Sequence, residues 1–144
     1  MEYVLEGMAP LSKAGSYLTD LKIHNHSAMS DLLAGRAKKK QMDTLIAMSN
    51  ICEALQRLGH GKEYPDVTVE GRFALLSIIF RAVEKLKFLP TGTEINQLNL
   101  LMELHDAQMD TITVLDMEKA IKLAMKELRG KRSVMLPAVP ESLK

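Results

Sequence analysis

The chain has 144 residues, a net charge of +1, ten Met, three Phe, three Tyr, no Trp and a single Cys. A domain of this size buries roughly 68–70% of its unfolded surface, so one hydrophobic core is expected without disulfides or a structural metal. The near-neutral charge excludes a global field that draws in nucleic acid or a membrane. Cys52 has no partner for an internal disulfide, which fits a reducing compartment, and no apolar run approaches the ~20 residues that span a bilayer.

Aliphatic and Met-rich composition with few aromatic or β-branched runs favours helices over sheets. "MEYVLEGMAPLSKAG" lacks the basic start and long apolar stretch of a signal peptide, and residues 1–16 are expected to form a loosely ordered lead-in. In "YLTDLKIHNHSAMSDLLA", Ile23, Met29, Leu32 and Leu33 recur with helical spacing. Asn25 or Ser27 offers an N-cap, which sets a short helix over about 26–34, closed by Gly35. "KKQMDTLIAMSNICEALQRLG" is the clearest helix, with Met42, Leu45, Ile46, Ser49, Cys52 and Leu55 on one stripe. Gly59, Gly61 and Pro65 end it.

Asp66 or Thr68 can cap a third helix through "VEGRFALLSIIFRAVEKLKF". It is apolar on nearly all sides around 73–80, which suggests a central, buried helix. After "LPTGTE", with Thr93 as N-cap, a fourth helix over 94–110 carries Ile95, Leu98, Leu101, Met102 and Met109. Thr113 and Asp116 resemble a capping box opening a fifth helix that ends near Arg129 and Gly130. The tail "GKRSVMLPAVPESLK" has no periodicity and reads as flexible or as a docking arm. The expectation is an all-α fold: a compact bundle of four main helices plus one or two short ones, with the domain over 17–130 and a flexible tail over 131–144.

Chemistry is sparse. "ELHDAQMD" at 103–110 gathers three carboxylates and an imidazole, but helical spacing divides them. Asn99, Glu103, Asp106 and Asp110 share one face as a polar ridge, with the carboxylates within about 11 Å along the axis. Such a ridge can serve as a contact surface or hold a divalent cation through oxygen ligands. His105 falls on the opposite, apolar stripe and is expected to be a buried, hydrogen-bonded histidine. No Glu-x-x-His pair exists for a di-iron bundle. "ELHD" supplies only one of the two acidic halves that an all-α, magnesium-dependent pyrophosphohydrolase needs. "GHGK" at 59–62 lacks the earlier glycine and the following Ser or Thr of a phosphate-binding loop, "HNH" at 24–26 lacks nuclease spacing, and no nucleophile–base pattern emerges. No catalytic residue, cofactor or metal site is assigned.

The charge layout says more. Between Phe88 and Glu118 there is no Lys or Arg, while basic residues gather at Arg36, Lys38, Lys39 and Lys40 and again from Lys119 to Arg132. Arg36, Lys38, Lys39 and Lys40, with His60 and Lys62 of the glycine loop, are the candidates for an anionic ligand such as a nucleotide. Without interleaved aromatic residues or a helix-turn-helix pattern, sequence-specific DNA reading is not supported. Acidic and basic faces could also mate between copies, and an apolar third helix that finishes its burial in a dimer points to a homo-oligomer.

"YLTDLKIHNHSAM", "DTLIAMSNICEALQRLG" and "LNLLMELHDAQMD", in that order, resemble a family of small proteins encoded by phages and prophages of Gram-negative bacteria, over roughly 17–132. The likeness lies in the pattern of the whole stretch and includes no catalytic motif. It implies a bacterial cytoplasm during infection or lysogeny, and a non-enzymatic protein that binds and modulates a host protein, either a defence component or a regulator. Sequestering a nucleotide and metal-dependent hydrolysis on Glu103, Asp106 and Asp110 are the alternatives.

Overall fold

A computed structural model describes residues 11–130 and 133–144, with side chains from Ser16 onward. Among these residues the fold is all-helical. Five helices follow one another: α1 (Leu11–Leu33), α2 (Lys39–Arg57), α3 (Pro65–Lys85), α4 (Gly92–Thr111) and α5 (Val114–Arg129), with a short 3-10 turn at Glu141–Leu143. None is long and apolar enough to cross a membrane.

The first helix is 23 residues long, not a short segment over 26–34. His24, Asn25 and His26 lie within it and cap nothing; residues 11–16, expected to belong to the lead-in, are its first turns, and residues 1–10 lie outside the described residues. Pro65 begins α3, its fixed φ suiting the first helical position. Thr91, not Thr93, caps α4: its hydroxyl accepts from the Glu94 N–H at 3.2 Å, and the Glu94 carboxylate accepts from the Thr91 N–H at 2.9 Å. The Thr113–Asp116 capping box of α5 forms as expected.

The centre of the bundle is α2, which packs against α1, α3, α4 and α5. Its stripe of Met42, Leu45, Ile46, Ser49, Cys52 and Leu55 is buried, and Met48, outside the stripe read from the spacing, is buried with it. Two clusters share that stripe. One joins α1, α2, α3 and α4 through Leu32, Met42, Leu75, Ile78, Leu98 and Leu101; the other gathers Leu55, Met109, Val114, Met117 and Ala120 around α5.

The expected central burial of α3 is corrected by this arrangement. The third helix packs mainly on α4 and α2 and buries only the face carrying Thr68, Gly71, Ala74, Leu75, Ile78 and Ala82. A helix has roughly 3.6 residues per turn, so one neighbouring pair of helices covers about one side of it. The apolar residues on the other side stay in solvent.

The segment after α5 is docked rather than loose. Met135, Leu136 and Val139 are buried. Asn50 on α2 acts toward it as a strand neighbour would: its Nδ2 donates to the Leu136 carbonyl at 2.8 Å, and its Oδ1 accepts from the Leu136 N–H at 3.0 Å. Asp43, nearly two turns earlier, accepts from the Val139 N–H at 2.7 Å. Proline-broken sequence cannot make its own helical hydrogen bonds, so side chains of α2 supply partners instead.

Candidate functional site

The acidic ridge of α4 is only partly free. Asp106 lies 2.6 Å from His26 Nε2, and Asp110 pairs with Lys22, both partners coming from α1. Asn99 and Glu103 remain exposed. The Lys22 ammonium and the His26 imidazole, absent from the neighbouring sequence, are thus delivered by a helix some eighty residues earlier. Among the described residues no three His, Cys, Asp or Glu side chains are grouped to hold a metal ion.

The basic candidates divide between the two ends of α2, roughly 27 Å apart at about 1.5 Å per residue. At its start, Arg36 binds Asp31 at 3.0 Å, while Lys39 binds Asp43 at 2.6 Å and reaches Glu141 at 3.6 Å. Lys40 is exposed. Lys38 instead lines a small cavity of about 160 Å³ with Lys87, Ser142 and Lys144. At the far end, His60 stands 4.0 Å from Asp116, and Lys62 is exposed. The six residues therefore do not form one site.

His105 is 2% exposed, and its Nδ1 lies 2.9 Å from Gln108 Oε1. Burial holds its pKa below the ordinary imidazole value. Cys52 is fully buried and its thiol is pushed up to about 12, chiefly by loss of solvent, so it stays protonated and a poor nucleophile near neutral pH.

Among the described residues, two exposed apolar surfaces stand out. The first is a groove of about 320 Å³ between α2 and α5, lined by Ile46, Ile51, Ile121, Ala124, Met125 and Leu128, and edged by Leu136 and Ala138 of the docked tail. Asp43 and Asn50 supply its few polar atoms. Its signal in the sequence is the breadth of the apolar sector of α5. Ile121, Met125 and Leu128 lie beside the buried Met117, Ala120 and Ala124 and widen that sector beyond what one helix contact uses.

The second surface is the outer side of α3. Val69, Phe73, Leu76, Phe80 and Val83 follow one another in alternating steps of four and three residues, all exposed, with Phe80 at 80% and Phe73 at 59%. This spacing keeps the five side chains on one stripe. Leu86 and Leu89 extend the apolar surface beyond the end of the helix. Comparison with protein-family models, curated proteins and solved structures finds no match for this chain.

Proposed function

We propose that this chain acts by protein–protein contact in the bacterial cytoplasm, binding and modulating a host protein without catalysis. The observation that carries the reading is the apolar groove between α2 and α5. Its walls are aliphatic and methionine side chains, and methionine adapts its shape to different partners. A groove between two helices suits the apolar face of an amphipathic helix, with anchors entering one turn apart. The resemblance to phage proteins supplies the bacterial setting, and the engagement of Asp106 and Asp110 by His26 and Lys22 weighs toward a contact surface over a metal site.

Affinity capture from a Gram-negative bacterial lysate, followed by mass spectrometry, tests this reading. The expected result is a protein retained in stoichiometric amount by the native chain and lost with Met125→Glu or Leu128→Glu. Retention of the same proteins by native chain and variants alike would overturn it. A second reading, binding of a small phosphorylated ligand, is favoured by Lys38, Lys87 and Lys144 around one cavity at the start of α2. For that reading, phosphate or a nucleotide raises the melting temperature, and Lys38→Ala with Lys87→Ala abolishes the rise.

A further inference from the structure

We infer that the outer face of α3 is a homodimer interface, in which two copies pack antiparallel about a two-fold axis passing between Leu76 and Ser77. The inference concerns a different surface from the groove assigned to a host protein, so either can fail alone.

Two features of the stripe select a second copy as the occupant. The stripe reads Val, Phe, Leu, Phe, Val, the same in both directions. An isologous contact requires such self-complementarity, because each residue meets its symmetry mate's counterpart. With the axis beside Leu76, Phe73 of one copy lies against the partner's Phe80, and Val69 lies near the partner's Val83. The alternating four-and-three spacing is also what keeps a seam facing a second helix along several turns.

Charge selects the antiparallel orientation. The first turn of α3 carries Asp66, preceded by Glu63, and its last turn carries Lys85. Antiparallel packing brings these acidic and basic ends together and opposes the two helix dipoles; parallel packing sets like ends side by side. One feature works against the antiparallel pair. Glu70 and Glu84 flank the same side of the stripe, and each meets the other's counterpart across the axis.

The area is sufficient. The stripe exposes on the order of 600 Å² of apolar surface per copy, at the upper limit of what monomeric proteins leave in water. Covering it on both copies buries about 1,200 Å², the lower edge of stable, specific interfaces.

Light scattering and analytical ultracentrifugation over a concentration series test the assignment. The native chain is expected at twice its 16.1 kDa mass. Phe73→Glu and Phe80→Glu, at positions outside the core, are expected to be monomers with unchanged helical circular dichroism. Glu84→Lys is expected to tighten the dimer about five-fold by replacing a like-charge contact with a pair to the partner's Glu70. A mixture of Val69→Cys and Val83→Cys chains should cross-link to each other under oxidation, while neither variant alone cross-links efficiently to itself. A native monomer at all concentrations, or a dimer that survives Phe80→Glu, overturns the interface. Self-cross-linking of Val69→Cys alone, or no tightening with Glu84→Lys, overturns the antiparallel arrangement.

Discussion

Gln108 accepts a hydrogen bond from His105 across one turn of α4, with Oε1 and Nδ1 2.9 Å apart. The direction follows from the rest of the amide. Gln108 Nε2 donates to the carbonyl of Cys52 at 3.1 Å and to that of His60 at 3.0 Å, so its oxygen faces His105 and the ring proton sits on Nδ1. One side chain thereby ties α4 to the last turns of α2 and to the loop beyond them. The polar atoms that looked like chemistry in "ELHDAQMD" serve, in this half, to fasten helices together.

A pH dependence follows from the same residue. Burial depresses the pKa of His105, so the folded state keeps it neutral while the unfolded chain takes up a proton below its ordinary value of 6.5. The stabilisation is therefore fully present above pH 6.5 and is lost as pH falls below it. Thermal denaturation between pH 7 and 5 should show a falling melting temperature. His105→Asn, which keeps a donor for Gln108, should flatten that slope while costing about 1–2 kcal/mol at neutral pH for lost packing. Glu94 and Asp116, with pKa values lowered respectively by Arg81 and by the Thr113 N–H, lose their contributions in a more acidic window, below 4.5 and 3.8. A slope unchanged in His105→Asn would count against the assignment.

Gly71 sets how closely α3 approaches α4. A methyl group there would lie 2.8 Å from Leu101 Cδ2 and 3.2 Å from Leu101 Cβ, and Leu101 is fully buried. Because the near atoms include the root of the side chain, rotation of Leu101 alone does not relieve the clash. Gly71→Ala should cost about 1–3 kcal/mol in urea unfolding, despite the better helix propensity of alanine.

Asn50 holds the C-terminal segment through paired backbone hydrogen bonds to Leu136. Asn50→Ala leaves a buried N–H and carbonyl without their partners and should cost about 1–3 kcal/mol. It should also make residues 133–144 the first site of limited proteolysis. Since Leu136 and Ala138 edge the α2–α5 groove, partner capture should weaken in this variant as well.

Leu86 ends α3 with φ +56°, a left-handed conformation that costs a side-chain-bearing residue roughly 1 kcal/mol and glycine almost nothing. Its side chain is 84% exposed, so little packing is lost on removing it. Leu86→Gly should raise the stability of the Phe80→Glu variant by about 0.5–1 kcal/mol in chemical denaturation. No gain there would mean that Leu86 is held by contacts stronger than its exposure indicates.

Helix ends are legible in the sequence at α2 and α5, but not at the start of α1, where the cap signal of Asn25 and Ser27 falls inside a longer helix. Thr113 and Asp116 cap α5 as their spacing indicates, and the stripe of α2 is the stripe that is buried. "TGT" offers two threonines as the cap of α4, and only Thr91 has Glu94 three positions on, which places the cap two residues before Thr93. His105 was readable as buried because its place on an apolar stripe depends on spacing alone.

What the sequence by itself determined is the class of object: an all-helical chain whose apolar periodicity builds a core and whose Thr113–Asp116 box marks the start of its last long helix. These are local properties, carried by side chains within a few residues of one another. Only the tertiary structure decided which apolar face is covered. In α3 the buried and exposed positions interleave, so both faces read alike until α2 and α4 occupy one of them. It also decided which carboxylates find partners, since His26 and Lys22 reach Asp106 and Asp110 from far along the chain. Contacts between distant residues depend on how helices stack, and no periodicity within one helix encodes its neighbour.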